Sequence, residues 1–207
     1  MIYDIDVYKG SVLPVCGRPG MGQRALALQL ATEYREVYGK AVLTFNTAQN
    51  DSFIRLICGS DKSTAPNEAK FVINSIDSLS ESYVREEVYA LQDIGLVVIL
   101  DYDFVCADIS IEFLMKLAKE LNIIIVVDAL VHRRVDRRRN KIPKRRDIKV
   151  RGLRNMLTVI AVYREGYYKV NDTNNRATII IYSKKSGEQI KTIYSHHTHS
   201  FITHNCV

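Results

Sequence analysis

Residues 17–24 read Gly-Arg-Pro-Gly-Met-Gly-Gln-Arg, between an apolar run at 12–16 and a helical pattern at 24–38. Strand, glycine loop and helix in that order form a cradle whose backbone N–H groups hold phosphates, with the pattern G-x-x-x-x-G-K-[ST]. The glycines fall where the pattern needs them, at Gly17 and Gly22, but Gln23 stands in the lysine position and Arg24 in the hydroxyl position. The lysine would neutralise the β- and γ-phosphates and the hydroxyl would hold Mg²⁺. Gln offers an amide dipole in place of a charge, and Arg has no lone pair for a metal. The loop therefore predicts a nucleotide-binding scaffold without the two side chains that ordinarily work in it.

The rest of the chain alternates between strand and helix patterns. Strands are expected at 12–16, 41–45, 70–73, 96–100, 123–127 and 157–162. A hairpin at 178–183 and 189–194 turns at Lys185-Ser186-Gly187. Helices are expected at 24–38, stopped by Gly39; at 51–58, capped by Asn50 or Asp51; at 80–92, capped by Ser80 or Ser82 and ended by Gly95; and at 109–121, stopped by Asn122. Residues 61–68 read as a polar connection. This order predicts an α/β domain spanning 1–207: a mostly parallel sheet with helices on both faces and an antiparallel extension at the end.

Charge is concentrated in one place. Residues 133–151 hold eleven Lys and Arg against two Asp, a local +9, while the remaining 18 basic and 21 acidic residues net −3. An ordinary domain with one intensely basic segment points to a polyanion partner. The segment reads as a loop, a solvated one if the like charges only repel. Its candidate nucleic-acid contacts are Arg133, Arg134, Arg137, Arg138, Arg139, Lys141, Lys144, Arg145, Arg146, Lys149 and Arg151. Tyr163, Tyr167 and Tyr168 are candidates for stacking on bases.

No apolar run reaches the roughly 20 residues that cross a bilayer, and the first residues lack a basic leader. The expectation is a cytoplasmic protein with no membrane partner. Cys16, Cys58, Cys106 and Cys206 have no metal-type spacing and read as reduced thiols. His196, His197, His199, His204 and Cys206 cluster in the tail and read as solvated, so no metal is assigned.

Several stretches together resemble one family. Gly17-Arg18-Pro19-Gly20-Met21-Gly22, Leu100-Asp101-Tyr102, His132-Arg133 through Lys141-Ile142-Pro143 to Asp147, Val162-Tyr163-Arg164 with Tyr167-Tyr168, and Ile179 to Gly187 resemble the C-terminal motor domain of DnaB-type replicative helicases, a RecA-like ATPase. The resemblance runs over 7–202. It implies the RecA-like fold, a nucleotide site at Gly17, Arg18, Pro19, Gly20, Met21, Gly22, Gln23, Arg24 and Asp101, and single-stranded DNA passing the basic segment. It also implies replication-protein or helicase partners, and an oligomer.

The departures follow that comparison. The family's water-orienting glutamate should fall near Ala48, and Asp51 comes three residues late. Its sensing Gln falls at Leu130. Its Lys and Arg that reach a neighbouring subunit fall near Ser183 and Lys185. The family's N-terminal domain and linker helix have no counterpart in the sequence. Asp101 alone matches a catalytic position, and two arrangements are open for it. It binds Mg²⁺ through water, or it pairs with Arg24, which then fills the metal position.

The expectation is a DnaB-like protein with altered catalytic motifs, leaning away from an enzyme and acting as a nucleic-acid-binding or helicase-interacting module. No cofactor is assigned; ATP and Mg²⁺ enter only if the altered loop still binds them. The alternatives are a divergent active helicase or ATPase, and a regulatory adaptor without DNA contact.

Overall fold

Fully buried strands set the architecture. The computed structural model describes residues 8–46, 71–75, 78–105, 108–168, 176–183, 187–195 and 200–203. Along the chain these form β1 (Ser11–Gly17), α1 (Gln23–Tyr38), β2 (Ala41–Asn46), β3 (Phe71–Ser75), α2 (Glu81–Ala90), β4 (Ile94–Ile99), α3 (Tyr102–Val105), α4 (Ile111–Leu121), β5 (Ile124–Leu130), β6 (Val159–Arg164), β7 (Arg176–Tyr182), β8 (Gly187–Ser195) and β9 (Ser200–Thr203). The expected helix at 51–58, the connection at 61–68 and the histidine tail lie outside the described residues, as do Ala48, Lys185, Cys58, Cys106 and Cys206. Cys16 is buried and unbridged.

The strands make one sheet in the order β3-β2-β4-β5-β1-β6-β7-β8-β9. From β3 to β6 the pairings are parallel, and β6-β7, β7-β8 and β8-β9 are antiparallel. The continuous apolar runs in β4 and β5 have partners on both faces, as parallel strands under helices require. Leu26, Leu30, Val98, Val126, Ile160, Ile179 and Phe201 form one apolar layer with α1. Val84, Val88, Leu114, Leu117, Ile125, Val127, Val135, Ile148 and Leu153 form the opposite layer with α2, α4 and the basic segment.

Local punctuation explains the helix ends. Gly39 takes the left-handed conformation at φ 63° and donates its N–H to the Arg35 carbonyl. The Ser80 hydroxyl accepts the Tyr83 N–H, and the Ser110 hydroxyl accepts that of Phe113. Asn122 ends α4 at φ 53°, since Asn tolerates this region better than most residues with a Cβ.

Gly95 corrects the sequence reading. It does not end a helix: α2 closes at Leu91, Asp93 makes the left-handed turn at φ 55°, and Gly95 lies inside β4. A Cβ there would come 2.7 Å from the Tyr34 hydroxyl, so the glycine lets α1 close on the sheet. Two further elements are new, α3 and β9. The last strand is tied to α1 by one side chain: Gln29 Nε2 donates to the Phe201 carbonyl at 3.0 Å, and its Oε1 accepts the Phe201 N–H at 2.9 Å.

The basic segment folds into short 3-10 turns at Arg133–Arg137 and Arg145–Asp147, and a third turn follows it at Gly152–Asn155. Its neck is a bridge between Val131 and Ile148. The His132 N–H donates to the Asp147 carbonyl at 2.7 Å, and the Lys149 N–H to that of Leu130 at 2.9 Å.

Candidate functional site: a glycine loop beside a basic knot

The carboxyl ends of adjacent parallel strands form the usual ligand crevice of an α/β sheet. Here β4, β5 and β1 lie side by side, so Asp101, Asp128 and the glycine loop converge from distant parts of the chain. Gly22 precedes α1 at φ 95°, a conformation costly for any side chain. A Cβ there would also come 2.9 Å from the Phe201 ring.

Gln23 folds back across the loop. Its Oε1 would stand 2.8 Å from a Cβ on Gly17, the side chain is buried, and Oε1 meets no donor among the described residues. The Arg24 guanidinium is hydrogen-bonded through Nη2 to Asp101 Oδ1. Its Nε lies 3.8 Å from Asp128 Oδ2, an ion pair too long for a hydrogen bond. Asp101 has φ 53°, which turns it out of β4 toward this cation.

Asp128 is a site residue that the sequence reading missed. It lies in an apolar run, where a carboxylate in the sequence Ile-Ile-Val-Val-Asp-Ala-Leu was the signal available. The residue is 3% exposed, Oδ2 accepts the Asp101 N–H at 3.5 Å, and Oδ1 has no donor among the described residues. Burial pushes its pKa up to about 7, opposed by Arg24 and reinforced by the Asp101 charge. Burial also raises Asp103, whose Oδ2 accepts the Leu130 N–H at 2.6 Å. Leu130 thus serves the site through its backbone.

The raised pKa has a measurable consequence. Between about pH 4 and pH 7 folded Asp128 keeps a proton that the unfolded chain releases, so folding stability falls as pH rises through that window. A shift from 3.8 to about 7 corresponds to an effect on the order of 4 kcal/mol. Asp128→Asn should therefore become more stable relative to the parent as pH rises from 5 to 8, read from paired thermal melts. A constant difference across that range would refute the assignment.

The outer wall of the loop is strapped to the basic segment. Arg18 is 8% exposed; Nη2 pairs with Asp136 Oδ2 at 3.2 Å and Nη1 donates to the Val131 carbonyl at 3.4 Å. Asp136 also accepts the Tyr168 hydroxyl at 2.7 Å, and Lys141 Nζ lies 4.2 Å from the centroid of the Tyr168 ring. Arg164 Nη1 donates to the Gly20 carbonyl at 3.1 Å, and the Tyr167 ring covers Gly20. Met21 is fully buried; Pro19 is exposed at the tip.

Within the basic segment the cations divide into two groups. Asp147, 2% exposed, gathers Arg134 Nε at 3.3 Å, Arg138 Nη2 at 2.5 Å and the Lys144 N–H at 2.8 Å. Burial opposes its ionisation, but these donors hold the carboxyl below its ordinary range. Arg134 also bonds the Arg146 carbonyl, and Arg145 the carbonyls of Met156 and Leu157. Arg133, Arg137, Arg139, Lys144, Arg146, Lys149 and Arg151 are exposed. The structure thus places Arg134, Arg138 and Arg145 in structural bonds, holds Lys141 half-buried against Tyr168, and presents the remaining seven to solvent.

A doubly covered parallel sheet with a glycine loop at the carboxyl end of β1 and an aspartate after β4 is a RecA-like P-loop fold. The family model for the DnaB-like helicase C-terminal domain matches residues 60–203, and the chain belongs to that family. The matched span contains Asp101, Asp128 and the basic segment; the glycine loop precedes it. Among solved structures, one described as an ATPase domain superposes with a TM-score of 0.74 at 17% identity, over 95% of this chain and 86% of that one. A DnaB-like replicative helicase, described with its interactions with primase, superposes at 0.71 and 17% identity, over 95% of this chain and 58% of that one. No curated protein matches the sequence. No described helix is long and apolar enough to cross a membrane.

Proposed function

We propose that this chain is a DnaB-family domain that has given up nucleotide turnover and works as a nucleic-acid-binding module. The observation that carries the reading is Arg24 on Asp101, with Asp128 behind it. A guanidinium in that position brings one positive charge where Mg²⁺ brings two, and it has no coordination sphere to take phosphate oxygens and water as a metal does. Gln23 lies against Gly17 and brings no charge toward a triphosphate. These residues do not fit a Mg²⁺–nucleotide, and no catalytic step is assigned to them. The loop's backbone N–H groups remain a weak anion cradle.

The working surface in this reading is the exposed side of residues 133–151. Arg133, Arg137, Arg139, Lys144, Lys149 and Arg151 crowd a short stretch of folded backbone and suit a strand of phosphates. Folding the segment around Asp147 removes much of the entropy cost of ordering it at binding. Replication is the setting that the family supports, and a helicase or another replication protein is the partner class.

Fluorescence anisotropy with single-stranded DNA tests the surface. Binding should be sequence-tolerant and should weaken steeply between 50 and 200 mM salt. Arg137→Gln with Arg139→Gln should weaken it about tenfold at low salt and reduce the salt slope by roughly 1–2. Affinity insensitive to salt, or untouched by the double change, counts against this surface. The same protein should show no ATP turnover above a Gln23→Ala control.

A further inference from the structure

The basic knot contains a cavity of about 310 Å³ lined by Arg134, Arg138, Arg146 and Asp147. Three guanidinium side chains and one carboxylate leave a net charge of +2 around it. The carboxylate is already committed: Asp147 is buried and accepts from Arg134, Arg138 and the Lys144 N–H. Those bonds fix two of the arginines before any ligand arrives. Arg138 also donates to the Ile142 carbonyl at 3.2 Å, and its Nε is buried without an acceptor among the described residues. Arg146 is exposed, and its own carbonyl receives Arg134. Lys144, close by along the chain, adds a further exposed cation.

We infer that this cavity is a discrete site for a phosphoryl group, separate from the glycine loop. A concave site with excess positive charge and arginines already held in place suits phosphate oxygens better than a singly charged carboxylate ligand. Holding Arg134 and Arg138 through Asp147 limits the entropy lost when the anion binds. Arg146 is the third arm that closes on it. The inference rests on the nucleic-acid reading for its physiological source, a phosphate of a bound strand, whether internal or at a 5′ end. The pocket itself is testable without a strand.

The probe is inorganic pyrophosphate, titrated by calorimetry into the full chain and into Arg146→Gln and Lys116→Gln. Lys116 is an exposed cation of α4, outside the basic segment and not lining the cavity. Saturable binding should fall at least tenfold in Arg146→Gln and stay within twofold in Lys116→Gln. Arg146→Lys, which keeps charge and loses the fork, should fall between them. Equal losses in the Gln variants, or no saturation, overturn the pocket.

Anisotropy with 5′-phosphorylated and 5′-hydroxyl single strands then separates the sources. Tighter binding of the phosphorylated strand, lost in Arg146→Gln, assigns a terminal phosphate; equal binding lowered by Arg146→Gln assigns an internal one. Strand binding that ignores Arg146 overturns the pocket and leaves the basic surface standing. Pyrophosphate binding that needs Arg146, without any strand binding, upholds the pocket and removes the nucleic-acid reading.

Discussion

Gln23→Lys with Arg24→Thr should raise the affinity for ATP–Mg²⁺ at least 100-fold over that of the parent chain. The lysine would bring a charge to the β- and γ-phosphates, and the threonine would vacate Asp101 and supply a metal ligand. Charge-assisted contacts contribute about 1.5–3 kcal/mol each, so two restored contacts readily reach that factor. The loop that would receive the phosphates is already shaped, with Gly20 and Gly22 at φ 82° and 95°. Calorimetry with and without Mg²⁺ reads the result.

Turnover should stay absent, because Ala48 stands near the position where the family's water-orienting glutamate is expected. The double variant should also become more stable on adding Mg²⁺–ATP, since a ligand that binds only the folded state shifts unfolding by mass action. Without the ligand, Asp101 and Asp128 would face each other without the Arg24 cation. The variant's stability should then fall more steeply with pH than that of the parent. Tight Mg²⁺-dependent ATP binding by the parent chain would show that the Arg24 pair opens freely, and the reading of a retired site would fail.

Asp147→Ala is expected to undo the basic knot. It removes the common acceptor of Arg134, Arg138 and the Lys144 N–H and leaves a cluster of cations around a small void. Breaking a fully buried pair costs about 3–5 kcal/mol. The partial exposure of Arg134 and Arg138 brings the expected loss nearer to about 2–4 kcal/mol, because the stranded guanidiniums regain water. For a chain of this size, that lowers the melting temperature by roughly 5–12 °C.

Limited trypsin digestion should cut within residues 133–151 far faster than in the parent, and single-stranded DNA affinity should drop with the loss of the ordered surface. Asp147→Asn keeps the shape and part of the hydrogen bonding, so it should fall between the two. An unchanged melting curve together with an unchanged digestion pattern would mean that Val135, Ile148 and Leu153, all buried, hold the segment without the ion pairs.

Much of the fold was legible because its signals are local. Buried parallel strands announce themselves as apolar runs at 96–100 and 123–127, and the structure keeps them in β4 and β5. Gly39, Ser80 and Asn122 act within one helical turn of their own positions, so composition at a single residue suffices. Gly95 was misread because a glycine needed for space looks the same in sequence as one needed for φ. The Tyr34 ring, sixty-one positions away, and the Lys40 Cβ, both packed against it, tell them apart.

For the candidate site, the sequence by itself determined the loop, the missing lysine and hydroxyl, Asp101 and the density of positive charge. It offered Arg24 on Asp101 only as one of two arrangements. Tertiary structure decided which cations have partners. The order β4-β5-β1 brings Asp101 and Asp128 to Arg24, and the neck at Val131 and Ile148 folds Asp147 under Arg134 and Arg138. Sequence distance carries no information about such pairs. Coulomb attraction and desolvation depend on the space between groups, and the sheet sets that space.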